Sequence, residues 1–130
     1  MMRHSAILYA RLALAAAFLS GIAARLGLWG KGGFANFLQY TAEVNSFMPA
    51  VTIPFLAWSA TIAEFSLGVL LVVGIWPRAV ALASAVLLLL FGTAMAISFG
   101  VKSPLDYSVF SASACALLLA AYQNHAQEKR

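Results

Sequence analysis

The chain has 130 residues, the length of one domain. Of these, 63% are hydrophobic and 9% charged, with a mean hydropathy of +0.91. An ordinary soluble globule carries about 25% charged residues, so this composition excludes one, and four long apolar runs describe a polytopic membrane protein instead.

The net charge of +4 comes from eight basic residues that are scattered and mostly flank the apolar runs. That is how topology signals are placed, whereas nucleic-acid binding needs a clustered basic patch. Cys115 is the sole cysteine, which excludes an intramolecular disulfide, a CxxC pair and a cysteine-rich metal site.

The first helix is expected over about Ser5 to Leu26. Arg11, Phe18 and Arg25 recur every seven residues and therefore share a face. Two arginines facing lipid are costly, so this face should turn into a bundle or reach its ends. Arg3, the Leu/Ala run and the small residues near Gly21 also resemble a secretory signal peptide. The run from Ile7 to Leu28 is long for such a segment and contains Arg11, and its removal would leave three helices. The helix is therefore expected to be retained.

Gly27 to Gly33 breaks the helix and places Trp29 and Lys31 at an interface. Phe34, Phe37, Leu38 and Thr41 then recur at helical spacing, with Asn36, Gln39 and Glu43 on other faces. The pattern gives a short amphipathic segment on the membrane surface, or alternatively a loop packed over the bundle mouth.

Pro49 and Pro54 bracket the entry to a second apolar helix, about Val51 to Ile75. Pro77 stops it and opens a third, about Arg78 to Phe99, so the two form an antiparallel hairpin. In the third helix, Ala81 with Ala85 and Gly92 with Ala96 are small-residue pairs that allow close helix approach. Ser103-Pro104-Leu105-Asp106 reads as an N-cap serine, a first-turn proline and an acid closing a capping box. A fourth helix is accordingly expected over 104–122, with Ser108, Ser111, Ala114 and Cys115 as its packing stripe and a polar tail beyond.

With the N-terminus inside, the cytoplasmic side holds Arg3, Arg11, Arg78, Lys129 and Arg130, and the outer side holds Arg25, Lys31 and Lys102. Lysine and arginine concentrate on the cytoplasmic side of membrane proteins, so both termini are expected there. Arg78 reads as a cytoplasmic anchor.

Glu64 is the outlier. It lies in the middle of the second helix, about 18–20 Å from either expected end at 1.5 Å per residue. An acid at that depth costs about 2.5–3.5 kcal/mol on insertion scales and needs a partner. Arg25, Arg11 or both are the natural counter-charges. The pair can be purely structural, or it can orient a quinone or other lipid-soluble molecule, or it can belong to a transport path. At the outer mouth Lys102, Asp106 and Tyr107 form a polar cluster suited to a headgroup or a partner protein, although Asp106 reads first as a helix cap. His4 and His125 lie in the tails, too far from other ligands for a metal site, and no P-loop, GxSxG or HExxH motif is present.

Ala63-Glu64-x-x-x-Gly68-x-x-Leu71-x-x-Gly74-x-x-x-Arg78-Ala79 resembles the central signature of the DoxX family of small four-helix membrane proteins. The opening Tyr9-Ala10-Arg11-Leu12 through Phe18-Leu19 and Gly21 is similar to that family's first helix, with Arg25 where many members carry lysine. Gly100 to Ser108 looks like the start of the last helix in one subgroup. The resemblance implies an all-α transmembrane four-helix bundle in a bacterial inner membrane, with a short amphipathic segment between helices one and two. It also implies a subunit role in a redox-associated complex, since some relatives are membrane subunits of thiosulfate:quinone oxidoreductase and others join complexes concerned with oxidative stress and thiol balance. Any enzymatic role is then at most that of an oxidoreductase subunit, with quinone as the implied cofactor. A methylamine-utilisation branch carries cysteines absent here, which argues against disulfide chemistry. A non-catalytic scaffold and an oligomeric solute carrier are the alternatives.

Overall fold

The computed structural model describes residues 2–27 and 33–128, with side chains to residue 122. Trp29, Lys31, Lys129, Arg130 and the side chain of His125 lie outside the described residues. The chain forms α1 (Met2–Arg25), α2 (Gly33–Val44), a 3-10 turn (Ala50–Thr52), α3 (Ile53–Val73), α4 (Pro77–Phe99), α5 (Lys102–Asp106) and α6 (Val109–Glu128). The described residues contain no strand. Met2–Arg25, Ala50–Val73 and Pro77–Phe99 are each long and apolar enough to cross a membrane, and Val109–Tyr122 is a shorter apolar helix.

The fold consists of two helix pairs. Helix α1 runs antiparallel along α3, with Arg25 beside Thr61, Leu19 over Gly68 and Arg11 against Leu71. Helix α4 packs along α6 in the same sense, with Phe110 over Gly92 and the Ser113 hydroxyl donating to the Ala85 carbonyl at 2.7 Å. Leu14, Ala15, Phe18 and Leu71 meet Val80, Ala81, Ala116 and Leu119 in a core shared by the two pairs. Between membrane helices such packing and polar contacts supply the association energy, because lipid is as apolar as leucine.

Helix α3 shows how the sequence divides its faces. Ala57, Glu64, Gly68 and Leu71 are buried at three- and four-residue spacing. Phe55, Trp58, Ile62, Phe65, Val69 and Val72 repeat the spacing on the exposed side. Lone apolar residues facing outward mean little in a soluble domain, but a continuous stripe along a whole helix marks a lipid-facing surface.

Two sharp features join α3 to α4. Gly74 ends α3 at φ 87°, a left-handed conformation that costs other residues about 1–2 kcal/mol. Trp76 follows at φ 47°, also left-handed. Pro77 then begins α4.

The start of the last helix differs from the sequence expectation. Ser103 makes no capping hydrogen bond, and the Asp106 carboxylate is held by the Lys102 ammonium one turn earlier at 2.8 Å. That i,i+4 ion pair closes a separate short helix, α5, and Ser108 turns the chain at φ 57° before α6 begins at Val109 rather than Pro104. The packing stripe also shifts: Ser113, Ala116 and Ala120 are buried, whereas Ser108, Ser111 and Ala114 are exposed. Small residues surround this helix on every side, so composition alone does not set its rotation. The Ser113 hydrogen bond does.

Candidate functional site

The polar interior forms where α1, α2 and α3 meet. Thr61 and Glu64 sit three residues apart and so project from one face of α3. Helix α1 ends at their level, and its last residue, Arg25, turns inward. A cation in a final turn also complements the helix dipole.

Nη1 of Arg25 makes an ion pair with Oε2 of Glu64. The aligned hydrogen bond from the same nitrogen goes to Thr61 Oγ1 at 3.1 Å, while that hydroxyl donates to the Ala57 carbonyl at 2.8 Å. The Glu64 contact is thus electrostatic without hydrogen-bond alignment. Glu64 is 8% exposed and Arg25 9%.

Phe37 of α2 covers the guanidinium, with Arg25 Cζ 3.5 Å from the ring centroid. The ring quadrupole attracts the cation by about 0.5–2 kcal/mol, more as the pair is desolvated. Phe34 holds α2 in place against Trp58 at 4.6 Å, and Tyr40 lies beside Phe99 of α4 at 6.3 Å. The Ser98 hydroxyl donates to the Val44 carbonyl. Phe34, Phe37, Leu38, Thr41 and Val44 form the covered face of α2, and Asn36, Gln39 and Glu43 are exposed. Helix α2 is therefore both amphipathic and packed over the ends of its neighbours.

Arg11 does not join Glu64. Its Nε donates to the Leu71 carbonyl at 3.0 Å and its Nη2 to the Val72 carbonyl at 3.2 Å. These carbonyls belong to the last turn of α3, where four backbone acceptors lack intrahelical partners. A Cβ on Gly74 would come within 2.6 Å of Arg11 Nη2, so the glycine also makes room for the guanidinium. Arg11 and Arg25 serve two different places on α3: one helix end and one charge partner.

On the face that carries α2, Lys102 and Asp106 are exposed and pair with each other. Tyr107, 73% exposed, follows them. Helix α5 packs on α4 and α6, and Arg25 lies apart from it beneath α2. Burial, with Tyr107 and Glu43 nearby, raises the Tyr40 hydroxyl above its ordinary value. Arg78 is exposed in the first turn of α4 at the opposite end. Among the described residues no three His, Cys, Asp or Glu side chains converge as a metal set.

Sequence reasoning missed the Phe37 lid and the carbonyl targets of Arg11. The signals were present in part: Phe37 lies on the apolar face of α2, and Arg11 lies in the first half of α1, opposite the glycine that ends α3. Neither spacing reveals that the two helices meet.

Apolar helices of membrane-crossing length, with a charge pair enclosed between them, define an integral membrane protein with several apolar helices. The DoxX family model matches residues 6–102, which hold Arg11, Arg25, Glu64, Gly68, Gly74 and Arg78. The chain belongs to the DoxX family. No curated protein and no solved structure matches it significantly.

Proposed function

We propose that the chain is a non-catalytic membrane subunit that serves a redox-associated complex as a rigid four-helix platform. Its termini face the cytoplasm of a bacterial inner membrane, and α2 and α5 lie on the outer face. Helix α6 is the fourth crossing. Its apolar part, Val109–Tyr122, extends about 21 Å at 1.5 Å per residue, a short span that a hydrocarbon core about 30 Å thick accommodates by local thinning and by snorkelling of the flanking residues.

The observation that carries this reading is the enclosure of Glu64. Its charge is matched by Arg25, the arginine is covered by Phe37, and both charged side chains are buried. A carboxylate that accepts protons from a quinone, or relays a solute, needs access to the ligand. One that locks three helices does not. The redox association rests on the family resemblance, as does any quinone role, and that role draws no support from the geometry at Glu64. A scaffold also needs a surface, and the exposed polar side of α2 together with Lys102 and Tyr107 offers one at the outer mouth.

The test uses Glu64→Gln in cells that express the parent complex. The platform reading expects complex activity to fall only in proportion to the amount of folded subunit. Loss of turnover at an unchanged subunit level would contradict it. Crosslinking through Lys102 should capture a stable partner on the outer face.

A further inference from the structure

The two helix pairs do not close evenly. Helix α1 packs along α3 from Arg11 to Arg25 and meets α6 less extensively. Along that seam lies a groove of about 570 Å³ lined by Arg3, Ala6, Ala10, Cys115, Leu118 and Tyr122, well away from Glu64. Its volume falls within the range of about 300–1,000 Å³ typical of small-molecule sites. Ala6 and Ala10 leave space in the groove that larger side chains would fill, and Met2 and Ile7 complete its α1 wall.

Its chemistry is graded along its length. Arg3 and Tyr122 stand at one end, where α1 begins and the apolar part of α6 finishes, and everything deeper is apolar or a thiol. From Arg3 to Ala10, and equally from Tyr122 to Cys115, the helical rise is about 10 Å. That is about two thirds of one leaflet of a hydrocarbon core roughly 30 Å thick. The cation thus stands at the open end of the trough, and the apolar part runs inward to the shared core, against which Ile7, Ala10 and Cys115 pack. A ligand that matches has a hydrocarbon chain and an anionic head joined at the leaflet surface. Arg and Lys at that depth attract anionic lipid, and a guanidinium binds phosphate oxygens in a bidentate manner.

We propose that the α1–α6 groove is a binding site for one anionic phospholipid, with an acyl chain between Ala6, Ala10, Cys115 and Leu118 and its phosphate on Arg3. The site is independent of the Glu64–Arg25 pair.

Cys115, the one thiol in the chain, reports on the groove directly. The purified full chain in neutral detergent is titrated with phosphatidylglycerol or phosphatidylcholine, and alkylation of Cys115 by N-ethylmaleimide is followed by mass spectrometry, with retained lipid counted on the intact protein. Phosphatidylglycerol is expected to slow alkylation and to remain bound, and phosphatidylcholine to do neither. Arg3→Gln should weaken the phosphatidylglycerol effect on the order of tenfold, as for one lost charge-assisted contact. Ala6→Trp, which fills an exposed trough without touching the core, should abolish protection by either lipid. Equal protection by both lipids, or full protection in both variants, would overturn the proposal. So would retention of a quinone in place of phospholipid, or Cys115–Cys115 crosslinks showing that a second copy covers the groove.

Discussion

At the residue scale, four side chains account for the polar interior. Glu64 is tolerable in an apolar helix because Arg25 neutralises it, and Arg25 is tolerable because Thr61 accepts its hydrogen bond and Phe37 covers it. Phe37→Leu keeps an apolar, smaller cover and removes the quadrupole. It should destabilise the protein by about 0.5–2 kcal/mol, seen as a lower unfolding temperature in detergent with the helix content of the folded state unchanged. Gly74 carries a second constraint. Gly74→Ala places a Cβ in a left-handed turn and against the Arg11 guanidinium, so a loss of about 1–2 kcal/mol is expected from the backbone alone. Arg11→Gln should relieve part of that loss, and a double variant no better than Gly74→Ala would show that only the backbone matters.

At the element scale, helix existence was legible in the sequence and helix phase was legible only where a charge or a proline set it. The α3–α4 turn was marked by Pro77, and the apolar face of α2 by Phe34, Phe37, Leu38 and Thr41. The start of α6 was misread because Ser103 and Asp106 match a capping box in one dimension. Lys102, one turn earlier, takes the same carboxylate. This difference can be measured. An exposed ion pair contributes about 0–1 kcal/mol, whereas a capping residue contributes typically about 1 kcal/mol and up to 2. Asp106→Asn should therefore change the unfolding temperature little, and Ser103→Ala should have no effect. A clear loss in Ser103→Ala would restore the capping box.

At the scale of the whole molecule, composition alone indicated a polytopic membrane protein, and the spacing of Glu64, Gly68, Gly74 and Arg78 pointed to the family. What the sequence could not convey is which helices pair. The partition into α1–α3 and α4–α6, with α2 laid across three helix ends, depends on contacts between residues dozens of positions apart, such as Arg25 with Glu64 and Ser113 with Ala85. The two pairs share one core, yet their α1–α6 seam stays partly open. The proposed orientation is testable in whole cells: with Cys115→Ser as background, a cysteine replacing Lys102 should react with a membrane-impermeant maleimide, and one replacing Arg78 should not. The reverse pattern would invert the topology.

The central claim is that Glu64 and Arg25 act on each other to hold α1 to α3. A double-mutant cycle with Glu64→Gln, Arg25→Gln and the combined variant, followed by unfolding in detergent, measures that interaction most directly. Removing one member of a buried pair costs about 3–5 kcal/mol because the other charge is stranded. If the pair is the clamp, the combined variant is no less stable than either single one, and the coupling is large. Strictly additive losses, with each residue acting through some other partner, would contradict it.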